Sequence, residues 1–64
     1  MERQLYVVYE SSKLGMIPTA YSSNIKTAES FISKHSTATV SAILPQDAEK
    51  IEPLLKKLKI KNLD

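Results

Sequence analysis

Residues 4–10, Gln4-Leu5-Tyr6-Val7-Val8-Tyr9-Glu10, decide how the rest of this sequence is read. The run is β-branched and aromatic, and a period of two puts Leu5, Val7 and Tyr9 on one face with Tyr6 and Val8 on the other. Both faces are largely apolar, so the stretch reads as a strand in the middle of a sheet. The segments around it must supply its neighbours and its cover.

Ser11 to Gly15 is a polar connection, and Gly15, the only glycine, can take the positive φ that closes a short hairpin loop. Met16 to Ser22 reads as a second strand. Pro18 removes one ladder donor there, which predicts an edge position. Asn24 and Thr27 are competent helix N-caps, and Ala28, Phe31, Ile32 and His35 follow at helical spacing, predicting a helix from about Ile25 to His35 with Phe31 and Ile32 as its core anchors. Ala38, Val40, Ala42 and Leu44 then alternate with Thr39, Ser41 and Ile43, a half-buried strand that Pro45 ends.

From Gln46 onward, Ala48, Ile51, Leu55 and Leu58 form an apolar stripe, with Asp47 and Glu49 in the first turn and Lys56 and Lys57 in the last, as the helix macrodipole favours. Pro53 interrupts this pattern, predicting either a kink or a helix that starts at Pro53. Leu58 to Leu63 is a final short strand or a frayed tail. The expectation is one α+β domain over residues 1–64, of ββαβα order: a three-stranded sheet in the order 2-1-3, both helices on one face, and a short C-terminal strand as an option.

This element order is similar to that of the hybrid-binding domain at the amino terminus of eukaryotic ribonuclease H, also found in caulimovirus proteins. Leu5-Tyr6-Val7-Val8-Tyr9 and Lys13-Leu14-Gly15 resemble its first hairpin. The tryptophan and the basic and aromatic positions which that family uses on nucleic acid have no counterpart here. The resemblance therefore implies a fold and carries no function.

Composition narrows the chemistry. With 64 residues, no cysteine and one histidine, the chain has no disulfide, no thiolate zinc site and no histidine cluster to staple it. Hydrophobic packing must suffice, with oligomerisation as the remaining support. No apolar run reaches the roughly 20 residues needed to cross a bilayer. No secretory signal is legible, and the absence of cysteine is a vote for the cytoplasm. The net charge of +2 is too small to imply a polyanionic partner by itself.

No residue pattern announces catalysis or a cofactor. His35 has no nucleophile or carboxylate placed beside it by sequence, and the end of a helix favours a partly cationic side chain for structural reasons. The serines and threonines form no nucleophile elbow, the acidic residues form no spaced pair, and a single glycine excludes a phosphate cradle.

Two surfaces remain. Lys56, Lys57, Lys59 and Lys61 fall within six residues, a cluster that can neutralise phosphates or simply cap and solubilise a helix end. Tyr6, Val8 and Ile43 would lie on a sheet face left bare if both helices cover the other, making them candidates for protein binding; the alternative is that the carboxyl-terminal segment folds over them.

The leading expectation is a non-enzymatic protein-binding module or inhibitor, of the kind phages and mobile elements encode, acting by stoichiometric association with a larger protein, with homodimerisation through the same face a further option. The alternative is a nucleic-acid-binding accessory protein using the four lysines, with Tyr6 or Tyr21 stacking on bases.

Overall fold

A computed structural model describes residues 4–35 and 37–64. Strands β1 (Leu5–Ser12) and β2 (Gly15–Ser22) form an antiparallel hairpin, in register from Tyr6 opposite Ser22 to Ser12 opposite Gly15. The turn closes because Gly15 adopts φ 112°, open to glycine and costly for other residues. A Cβ added there would meet nothing within 4 Å, so the requirement is conformational and not steric. The Ser12 hydroxyl donates to the Gly15 carbonyl at 2.7 Å and accepts from the Leu14 amide at 3.2 Å, fixing the turn from inside.

Helix α1 (Ile25–Ile32) starts where the Asn24 side chain accepts from the Lys26 amide at 2.9 Å. It ends three residues before the expected His35. There the Lys34 and His35 amides bond to the carbonyls of Phe31 and Ile32, three residues back, tightening the last turn. Strand β3 (Ala38–Ile43) pairs antiparallel with β1, from Leu5 opposite Ile43 to Glu10 opposite Ala38.

Helix α2 (Pro45–Lys57) begins with Pro45 in its first turn and continues through Pro53. It neither starts at Pro53 nor stops there. Pro53 lies on the exposed side, as does Glu49, whose carbonyl loses its i+4 amide partner, while Ala48, Glu52 and Leu55 hold the buried side. Strand β4 (Lys61–Asn62) then pairs parallel with β2 at Ala20 and Tyr21.

The fold is thus a small α+β domain with a four-stranded mixed sheet, in the order β3-β1-β2-β4, and two helices. β1 is central with β2 and β3 beside it, but the full order departs from 2-1-3 because the last segment joins the sheet beyond β2. β2 is consequently not an edge strand along its whole length. Pro18 is accommodated by a bulge: Val8 faces Ala20 and Tyr9 faces Pro18, leaving Thr19 as the extra residue.

A second correction concerns the layers. Leu5, Val7 and Tyr21 pack with Ala48 and Leu55 of α2, and Val8 and Ala20 pack with Ala28 of α1. The helices lie on opposite faces of the sheet. The cause is legible in β1 itself, because a strand apolar on both sides needs cover on both. Ala28 is the fully buried residue of α1, whereas Phe31 and Ile32 are only half-buried against its cluster.

The end of α2 explains how the chain turns into β4. Lys59 takes φ 59°, the Ile60 amide donates to the Leu55 carbonyl at 2.9 Å, and the Lys59 amide donates to the Lys56 carbonyl at 3.1 Å. This is a Schellman cap, with its usual apolar contact supplied by Ile60 packed into the cluster that holds Leu55. Beyond it, the Leu63 amide donates to the Tyr21 carbonyl at 2.8 Å. The Asp64 carboxylate accepts from the hydroxyls of Ser22 and Ser23 and from the Ser23 amide, tying the end of β2 to the segment after β4.

Candidate interaction edge

The three residues singled out from the sequence for protein binding land on two opposite faces of the sheet. Val8 has no exposed area and lies under α1; Tyr6 is half-buried in the same cluster; Ile43 is half-buried in the cluster on the opposite face, under α2. The bare sheet face that made these three residues a common binding surface does not exist. It is α1, not the carboxyl-terminal segment alone, that covers Tyr6 and Val8, with Leu63 at the margin of that cluster. As placed, Val8 offers no surface to a partner.

The four lysines are divided between the end of α2, its cap and β4. Lys56 lies 3.4 Å from the buried Glu52 carboxylate, one turn earlier on α2. Lys57 ends the helix, Lys59 forms its left-handed cap, and Lys61 lies in β4 opposite Ala20. Lys56 and Lys57 sit at the negative end of the helix dipole, where cations are stabilising. Tyr21 is 4% exposed and presents no ring face for stacking. His35 is half-buried, its Nδ1 2.8 Å from the Phe31 carbonyl and its ring stacked on Phe31 with centroids 4.2 Å apart. Among the described residues no three His, Cys, Asp or Glu side chains gather to hold a metal ion. An open groove beside α1, lined by Lys26, Thr27, Ser30, Phe31, Lys34 and Leu63, has two ammonium groups at its rim.

The feature that sequence reasoning missed is an edge of the sheet. A strand at the end of a sheet turns alternate N–H and C=O groups outward, and proteins blunt such edges with proline, bulges, lysine or very short strands. The β2/β4 side carries all of these devices: Pro18, the bulge at Thr19, a two-residue outer strand, and Lys61 within it. The β3 side carries none. Ala38-Thr39-Val40-Ser41-Ala42-Ile43 contains no charge, no proline and no glycine, and its pairing with β1 runs through six residue pairs without a register shift. Thr39, Ser41 and Ala42 are exposed, and among the described residues no strand lies beyond β3.

The signal was present in the sequence as the uncharged stretch from Thr37 to Leu44, but its meaning depends on β3 being outermost, which only the sheet order settles. Exposed apolar side chains border this region and others. Leu44, directly after β3, is 59% exposed, Leu54 on α2 and Leu58 at its C-cap are exposed, and Leu14 at the hairpin tip is almost fully exposed.

Comparison with protein-family models, with curated proteins and with solved structures finds no match for this chain. The likeness to the hybrid-binding domain therefore rests on element order and the first hairpin alone. No helix among the described residues is long and apolar enough to cross a membrane.

Proposed function

We propose that this chain is a non-enzymatic protein-binding module of the inhibitor or accessory type, which associates with a larger protein by accepting an extended segment of it along β3. The observation that carries this reading is the contrast between the two sheet edges: one is blunted by four separate devices, while the other is regular in register, uncharged and open. Strand addition to such an edge draws affinity from main-chain hydrogen bonds and specificity from alternate side chains. The neighbouring exposed Leu44 supplies apolar area that a protein partner can cover.

The test compares wild type with a chain carrying Thr39→Lys and Ser41→Lys, both at exposed positions. Proteins retained by immobilised wild type are identified, and one of them is reconstituted with the purified chain. Protection of β3 amides from hydrogen exchange in that complex, together with loss of retention by the double variant, supports the reading. Retention that the double variant leaves unchanged defeats it. Retention of nucleic acid that fades with salt, and is lost when Lys56, Lys57, Lys59 and Lys61 become Gln, would establish the nucleic-acid accessory instead.

A further inference from the structure

The residues of β3 are complementary to themselves. Written about Val40, the strand reads Ala38-Thr39-Val40-Ser41-Ala42: alanine at both ends, a hydroxyl residue on each side, and a β-branched centre. An antiparallel pair of identical strands centred on Val40 sets Val40 against Val40 of the second copy, Thr39 against Ser41 and Ala38 against Ala42. Opposed residues in an antiparallel pair project from the same face. The two Val40 side chains and the alanines then extend the layer packed on α1, while each Thr39 meets a Ser41 on the α2 side. Hydroxyl pairs and β-branched pairs are favourable cross-strand combinations, and no charge opposes a like charge.

We infer that the free protein associates with a second copy of itself through β3, forming an antiparallel two-fold dimer whose sheet runs continuously across both chains. The inference rests on the reading of β3 as the pairing edge and adds a regulation to it: the second copy and the larger partner compete for the same strand. A two-fold contact must be self-complementary, because each surface meets its own image. The chemical symmetry about Val40 meets that condition, and the blunted β2/β4 edge leaves the opposite side of the sheet unsuited to continuing the assembly into a fibre. The contact is much smaller than the roughly 20–30 residues a side of a stable interface, so the self-pairing is weak. Weak self-pairing of this kind shields the edge at high concentration and yields it to a tighter partner.

Sedimentation equilibrium, with thermal melting as the folding control, tests the geometry. Wild type should pass from monomer to dimer with rising concentration. Thr39→Lys with Ser41→Lys opposes two lysine pairs in the dimer and should weaken it about tenfold. Thr39→Lys with Ser41→Glu opposes each lysine to a glutamate in the Val40-centred register and should restore dimerisation to near the wild-type level. All three chains should melt alike, since both positions are exposed. A wild type that stays monomeric at about 1 mM overturns the self-pairing, as does an undiminished dimer in the double-lysine chain or a Lys/Glu chain as weak as the double-lysine one. Failure of self-pairing with loss of partner capture in the double-lysine chain would leave the binding function standing. Failure of both would remove the edge from the account.

Discussion

Replacing Lys59 by glycine and, separately, by alanine offers a sharp check on how α2 hands over to β4. Lys59 sits at φ 59° in the residue slot after the helix cap, where the Ile60 and Lys59 amides bond back to Leu55 and Lys56. Both replacements remove the same ammonium group, so its interaction with the helix end cancels in the comparison. What remains is the backbone. In a helix interior, alanine is favoured over glycine by about 1 kcal/mol. In the left-handed region the order reverses, because a Cβ there crowds the following carbonyl at a cost of about 1–2 kcal/mol, set against the greater freedom glycine has in the unfolded chain. The net expectation is that the glycine variant is the more stable of the two by about 1 kcal/mol, or roughly 4–8 °C in melting midpoint for a domain of this size. Thermal melts by circular dichroism resolve such a difference. An alanine variant as stable as the glycine variant would show that Lys59 is not left-handed, and that Ile60 reaches its place beside Leu55 by another route.

Three further outcomes follow from the placement of other residues. Val8→Lys puts an ammonium group where wild type has no exposed area, against Ala20 and Ala28, and should abolish the cooperative melt, since the cost of an unpaired buried charge is comparable with the whole stability of a small domain; a folded, soluble variant would return Val8 to the surface. Phe31→Ala removes a half-buried ring that stacks on His35 and should cost about 2 kcal/mol, short of the 3–5 kcal/mol of a fully buried ring, as read from denaturant titration; a loss at the upper end would make Phe31 the core anchor of α1. Ser22→Ala deletes a fully buried hydroxyl that accepts from the Asn24 amide and donates to Asp64, and should cost about 1–3 kcal/mol while raising amide exchange at Leu63; unchanged exchange there would show that the segment after β4 is held without it.

Most of the elements were legible because their signals are local. The period of two in Leu5 to Tyr9, the single glycine at the hairpin, Asn24 before α1 and the stripe from Ala48 to Leu55 each fix one element through chemistry within a few residues. The assignment of layers was not local. Tyr6 and Val8 do share a face, but α1 covers it where both helices are expected on the other, because nothing in α1 or α2 alone says which side of the sheet each helix takes. β4 was ambiguous for a related reason: two residues of alternation become a strand only because the Schellman cap at Lys59 aims them along β2. The candidate site was the least legible part. An edge is a property of order in the sheet, so the uncharged run in β3 became informative only once β4 was seen to extend the opposite side.

The central claim, that the open edge at β3 pairs with a second copy of this chain, is tested most directly by following backbone amide resonances while the purified chain is diluted from about 1 mM to about 20 µM. The account predicts concentration-dependent shifts concentrated in Ala38 to Ala42, with Ala20 and Tyr21 on the opposite side of the sheet unchanged. Amides of Ala38 to Ala42 that hold their positions throughout, or shifts that centre on β2, β4 or the outer side of α2, would contradict it.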